Sequence, residues 1–166
     1  MFWNLLRWCD RWLLTTLKFL TGCTFAAVVV SVTLGIVFRY ALQSPLSWVE
    51  EFSRLNFIWS TFMGACVATR EKEHLKIRIF SEKLGPKGTA LHDILVSSLA
   101  LVFLSVVLRH GPKVYAAMSF QNYAGMPLSQ KWQVMPVLLS ASLMVLYFLA
   151  ILVGSARTLV SGVEPE

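Results

Sequence analysis

Residues 48–79 read WVEEFSRLNFIWSTFMGACVATREKEHLKIRI. Glu50, Glu51 and Arg54 open the stretch, a mostly apolar run follows, and a basic segment carrying His74 closes it. At ~100° per residue along a helix, Glu50, Arg54, Phe57, Ser60, Thr61, Gly64, Ala65 and Ala68 share one side. Leu55, Ile58, Trp59, Phe62, Met63, Cys66 and Val67 share the other. In lipid, bulky apolar side chains face the tails, and small residues let a second helix approach closely. The face with Glu50, Arg54, Ser60, Gly64 and Ala68 is therefore expected to pack inside protein, against the preceding span or another chain. The Trp59, Phe62 and Met63 face is expected to meet lipid or bulkier neighbours. Glu50 and Glu51 stand four and three residues before Arg54, so both are placed to pair with it. The plainer reading leaves these charges in the headgroups at a helix end. Arg54 lies a turn deeper than the acids, where an unpaired charge costs more, about 2.5–3.5 kcal/mol at a span's centre.

Outward from this stretch, the chain is apolar throughout. Its 166 residues are 56% hydrophobic, with a mean hydropathy of +0.62, too high for a water-soluble domain of this size. Apolar runs cover 19–38, 52–69, 94–108 and 132–156. A span needs ~20 apolar residues. The first and last runs qualify directly, and the other two qualify once their polar ends reach the interface. The expectation is an all-α integral membrane protein forming one membrane domain with four transmembrane helices. They fall at 18–40, 48–69, 88–111 and 132–157, joined by outer loops at 41–47 and 112–131 and a basic inner loop at 70–87. An inner tail, 158–166, closes the chain.

Residues 1–17 place Asn4, Arg7, Asp10, Arg11 and Thr15 opposite Phe2, Leu5, Leu6, Cys9, Trp12 and Leu13. That pattern predicts an amphipathic helix lying in the interface, anchored by Trp3, Trp8 and Trp12, with Trp132 as an anchor at the start of the last span. In the first span Ala27, Ser31, Gly35 and Arg39 recur every four residues, a small-residue stripe suited to helix contact. Pro45 breaks the short connection that follows, so the second span folds back antiparallel, within reach of an Arg39 pair with Glu50 or Glu51. Gly85-Pro86 and Gly111-Pro112 are read as interruptions at the two ends of the third span.

The formal net charge is +6, but the basic residues border the spans rather than forming a nucleic-acid surface. Arg70, Lys72, Lys76, Arg78, Lys83 and Lys87 crowd the 70–87 loop, whereas 41–47 holds no Lys or Arg. The positive-inside rule makes the basic loop cytoplasmic, and both termini with it. Cys9, Cys23 and Cys66 show no paired spacing and fall toward the reducing side, so no disulfide is expected.

No catalytic constellation stands in this sequence: no phosphate-binding glycine loop, and no metal-ligand spacing around His74. His92 and His110 lie at opposite ends of one span, so they do not make a mid-membrane haem pair. No span carries an ionisable residue near its middle, where a proton-coupled exporter keeps one. No catalytic, cofactor or metal site is expected on this chain.

The ordered set VFRYALQSPLSWVEEFSRLNFIWSTFMGACVATREKEHLKI at 37–77 resembles the small membrane subunit, DctQ type, of tripartite ATP-independent periplasmic (TRAP) transporters. The matching features are Arg39-Tyr40, Trp48 with Glu50-Glu51, Gly64-Ala65, and Arg70 followed by His74. MPLSQKWQVMPV at 126–137 is similar to that family's last outer loop. Lys76-Ile77-Arg78 departs from it where the family often carries an acid. The resemblance implies a scaffold subunit, without a substrate site of its own, for a large DctM-type elevator permease that holds substrate and sodium. A DctP-type periplasmic binding protein delivers an organic acid such as a C4-dicarboxylate or a sialic acid. Arg39, Trp48, Glu50, Glu51, Arg54, Ser60, Gly64, Ala68 and His74 then become structural or subunit-interface residues. The location implied is the bacterial inner membrane, with lipids and the large subunit as neighbours and no nucleic acid. A stand-alone small transporter or exporter, and a haem or quinone anchor subunit, are the alternative readings.

Overall fold

The computed structural model describes the backbone of residues 2–72 and 78–161, and the side chains of 8, 10–71 and 88–159. Four long helices account for most of it: α1 (Phe2–Ile36), α2 (Ser47–Lys72), α3 (Arg78–Met118) and α4 (Lys131–Ser161). A single π-helical turn, Val37–Ala41, carries α1 into the bend before α2. Among the described residues α1, α3 and α4 are long and apolar enough to cross a membrane. α2, with 26 residues, has the length, about 39 Å at 1.5 Å per residue, but bears charges at both ends.

The helices stand in a row, α1–α2–α4–α3, each packing on its neighbour, and α3 touches α4 alone among the described helices. The interior belongs to the central pair. Val49, Ser60, Met63, Cys66 and Thr69 of α2 are buried, as are Pro136, Ser140, Ala141, Ser155 and Thr158 of α4. Half of these are small hydroxyl residues. Ser31 and Thr69 turn their hydroxyls back onto the carbonyls of Ala27 and Ala65, at 2.6 and 2.8 Å, which satisfies them within their own helix and leaves a thin surface for close packing. The edge helices expose large apolar side chains, including Phe19 and Phe25 on α1 and Leu99 and Phe103 on α3.

Several element boundaries differ from the sequence reading. Residues 2–17 do not form a helix separate from the first span: α1 runs through position 18 without a break. Nothing between 2 and 36 forbids it, since no proline intervenes and neither glycine, Gly22 or Gly35, falls at the expected boundary. The basic loop is shorter than 70–87, because α2 continues to Lys72 and α3 begins at Arg78. His74 and most of the alternating 75–79 segment lie outside the described residues. Gly85-Pro86 and Gly111-Pro112 both sit within α3 rather than interrupting it. A proline deletes one backbone hydrogen bond, and membrane helices absorb that loss through neighbouring turns. Gly111 has a packing role: a Cβ there would collide with Leu138 Cδ2, so the glycine is what lets α4 approach. α4 also carries Pro136 in its second turn, fully buried.

Candidate interaction sites at the two ends of α2

The polar side chains gather at the two ends of α2. At the N-terminal end of α2 the sequence reading offered the two acids Arg54 along the helix and Arg39 across the bend, and the fold uses Arg39 for Glu50. Arg39, brought round by the π turn, pairs with Glu50 at 2.5 Å. The Glu51 carboxylate instead accepts the backbone N–H groups of Ala124 and Gly125, each at 2.8 Å. It thereby fastens the α3–α4 loop onto the start of α2. Such charge-assisted bonds are the stronger class. Arg54 is exposed and forms no salt bridge among the described residues.

The loop is shaped to receive Glu51. Tyr123 N–H donates to Leu128 O at 3.0 Å and Gln130 N–H to Gln121 O at 2.8 Å, closing a compact turn across the Asn122–Ser129 bridge. The Ser129 hydroxyl lies 3.1–3.3 Å from the carbonyls of Met118, Ser119 and Gln121 at the end of α3. Gly125 presses on the α2 backbone: a Cβ would stand 2.8 Å from Ser47 O and 2.9 Å from Trp48 Cα. Tyr123 is buried beneath. Burial pushes its phenol above the ordinary value, the Arg54 charge opposes this, and Glu51 adds to it. About two turns beyond Glu51 on α2, Trp59 Nε1 donates to Trp132 O at 3.1 Å, tying α2 to the start of α4.

At the C-terminal end of α2, Asp10 of α1 is the hub. Arg70 of α2 donates to Asp10 Oδ2 through Nε at 3.0 Å and a terminal nitrogen at 2.8 Å. Tyr147 of α4 donates its hydroxyl to Asp10 Oδ1 at 3.2 Å, and the Arg70 guanidinium lies 5.9 Å from the Tyr147 ring centre. The cluster is about three-quarters shielded at Arg70 and Asp10, whose side chains are 21% and 27% exposed. Lys18 pairs with Glu71 beside it, both about half exposed.

The sequence-predicted residues divide accordingly. Ser60 is buried, and Gly64 faces α1 with Thr21 Cγ2 3.5 Å from its would-be Cβ. Gly35 likewise admits Val49. Gly35 and Gly64 thus both lie where α1 and α2 meet. Glu50, Arg54, Phe57, Thr61 and Ala68, expected inside protein, are exposed on this chain. Met63 and Cys66, on the face offered to lipid or bulkier neighbours, are buried in protein at 7% and 0% exposure. The helix turns this way because α4 and the α3–α4 loop supply partners on that side. Trp48 is partly exposed and meets Phe52 edge-on at 5.9 Å. Trp8 and Trp12, both 59% exposed, stack edge-on at 5.6 Å, Trp132 is 40% exposed, and the Trp3 side chain is outside the described set. Tyr147 and Gly125 had no role in the sequence reading, and Gly111 was read only as part of a break. Asp10 was merely one member of a polar helical face, and no spacing links it to residues so distant in the chain.

Among the described residues no three His, Cys, Asp or Glu side chains converge to hold a metal. Shallow grooves lie between α1 and α2. One of about 480 Å³ runs from Val32 and Gly35 to Arg39, Glu50 and Arg54. Another, of about 260 Å³, lies by Lys18, Gly64 and Glu71.

This is a multi-helix membrane protein whose polar groups hold helices and a loop to one another. The chain belongs to the DctQ component family of tripartite ATP-independent periplasmic transporters, the TRAP small permeases, and the family match covers residues 28–158. It is 30% identical over 108 residues to a TRAP transporter small permease protein of Haemophilus influenzae, covering 65% of this chain and 66% of that one. It is 25% identical over 115 residues to the sialic acid TRAP transporter small permease protein SiaQ of Vibrio cholerae, covering 69% and 66%. A third relative, the sialic acid TRAP transporter permease protein SiaT of Haemophilus influenzae, is 28% identical over 115 residues, which are 69% of this chain but 19% of that protein. The match thus spans just under two thirds of each small permease relative and a minor part of SiaT.

Proposed function

We propose that this chain is the bracing subunit of a TRAP transporter, holding steady a large DctM-type permease that moves a carboxylate-bearing organic anion by a sodium-coupled elevator motion. The observation that carries this reading is the pair of polar fastenings at the ends of α2. Asp10–Arg70–Tyr147 joins α1, α2 and α4 on one side, and Glu51 with the 124–125 amides joins α2 to the α3–α4 loop on the other. Helices tied at both ends suit a scaffold rather than a moving, substrate-carrying part. The apolar runs 19–38, 52–69, 94–108 and 132–156 carry no Lys, Arg or His near their centres, so an anion crossing the hydrocarbon would find no countercharge there on this chain. The SiaT relative supports a large partner, since there the matching segment is a minor part of a longer permease polypeptide. The sialic acid named for two relatives is the first substrate to try. Sodium and substrate sites fall on the large subunit, and a DctP-type periplasmic protein delivers the anion. Four spans, with α2 as the second, put both termini in the cytoplasm of a bacterial inner membrane.

The test is co-expression with the adjacent large permease and mild detergent extraction. A stoichiometric complex is expected, with anion uptake in vesicles requiring both chains and calorimetry of the isolated small subunit with sialic and C4-dicarboxylic acids giving no saturable heat. Saturable binding or uptake by this chain alone would replace the bracing role with a stand-alone carrier.

A further inference from the structure

Two exposed stripes on this molecule differ in chemistry. On α3, Leu91, Leu95, Leu99, Val102, Phe103 and Val106 are each more than half exposed and wholly apolar, as a lipid-facing surface requires. On α2, the central helix of the row, Arg54, Phe57, Thr61 and Ala68 are exposed along one side. Arg54 lies seven residues into α2, about 10 Å along its axis. Its natural partners within the chain are taken: Glu50 by Arg39, and Glu51 by the loop amides. An arginine at this depth facing lipid tails without a countercharge is unfavourable, and membrane arginines turn toward protein partners or polar cavities. Beside it the outer α1–α2 groove, lined also by Gly35, Val49 and Ser53, leaves room for an incoming side chain.

We infer that the Arg54–Phe57–Thr61–Ala68 face of α2 is where the large permease docks, and that the permease presents a carboxylate to Arg54 in the outer half of the membrane. The inference rests on the bracing role proposed above. Charge complementarity selects the occupant: lipid tails suffice for the α3 stripe, whereas the α2 stripe calls for an acid beside a helix face that fits between a ring and small residues. The permease of the SiaT type is also the neighbour that a common polypeptide keeps adjacent to this segment.

The experiment uses the co-expressed complex, with a photoreactive benzoylphenylalanine in place of either Thr61 or Leu99. Irradiation is expected to join the permease to position 61 and to leave position 99 with lipid adducts or none. Arg54→Gln is expected to lower recovery of the complex roughly three- to twentyfold, the range of single polar contacts in membranes, with Arg54→Lys retaining most of it. Permease adducts from 99 but not 61, or only lipid adducts at 61 while the complex still co-purifies, would overturn this docking face and leave the bracing role standing. Failure of the unaltered chain to co-purify would remove the role and the face together. The crosslinks keep Arg54 in place, so they decide the matter even if Arg54→Gln does not fold.

Discussion

A methyl group at position 125 has no space to occupy. It would meet the Ser47 carbonyl oxygen and carbon and the Trp48 Cα at 2.8–2.9 Å, all backbone atoms that cannot swing aside as a side chain can. Gly125→Ala must therefore lift the loop from α2, and the two amides that Glu51 holds move with it. A loss of about 1–3 kcal/mol, typical of overpacking, is expected in thermal unfolding of the detergent-solubilised chain. Gly22→Ala and Gly154→Ala are the controls. Each lies within a helix and meets nothing within 4 Å, so alanine there should be neutral or stabilise by roughly 0.5–1 kcal/mol. Destabilisation by Gly22→Ala equal to that by Gly125→Ala would mean that helix α1, not the loop contact, limits stability.

At the scale of the element, α2 is held by contacts of unequal value. The Asp10 carboxylate receives Arg70 and Tyr147 in a partly shielded pocket, while Lys18 and Glu71 are half exposed. Hydrogen bonds to charged groups contribute about 1.5–3 kcal/mol, whereas exposed ion pairs contribute about 0–1 kcal/mol. Asp10→Ala, which removes the carboxylate that Arg70 and Tyr147 both bond, is expected to cost about 1.5–3 kcal/mol and Lys18→Ala little. Chemical denaturation of each variant in the same detergent separates them. Tyr147→Phe, which removes a neutral donor only, should fall between. If Asp10→Ala and Lys18→Ala prove alike, the Asp10 cluster is an ordinary surface contact and α1 depends on packing along Gly35 and Gly64 instead.

The whole molecule is a row rather than a closed bundle, and its edge helices leave much of their apolar surface uncovered. That arrangement is stable only where lipid or another membrane chain covers the edges, because water would meet Phe19, Phe25, Leu99 and Phe103 directly. The α1–α2 bend, with Ser44, and the α3–α4 loop lie together at one end of the row, joined by Glu51. Asp10 and Arg70 mark the other. In a chain with Cys9, Cys23 and Cys66 replaced by serine, single cysteines at Ser44 and Phe120 are expected to react with an impermeant reagent from the periplasmic side. A cysteine at Lys83 is expected to be protected until the membrane is permeabilised. Equal labelling of Ser44 and Lys83 in sealed cells would mean that α2 does not span.

Hydropathy and charge placement determined by themselves that this is a helical membrane protein. They also located the four helices, and they placed Arg39 within reach of an acid at the start of α2. Those properties follow from residues close together in the chain: an apolar run of membrane length, a proline before the return helix, a cluster of bases between two runs. The order α1–α2–α4–α3 was not legible in that way, nor was the side of α2 that turns inward. Periodicity divides a helix into faces, but it does not say which neighbour arrives at each. Glu51 stood three residues from Arg54 and yet bonds to amides 73 and 74 residues away. Asp10 meets Arg70 across 60 residues and Tyr147 across 137. Only packing brings such groups together, since a carboxylate takes the best-placed donors in space, whatever their separation along the chain. Gly111 carries the same distinction. Beside a proline it reads as a break, and the tertiary structure makes it the gap into which Leu138 fits.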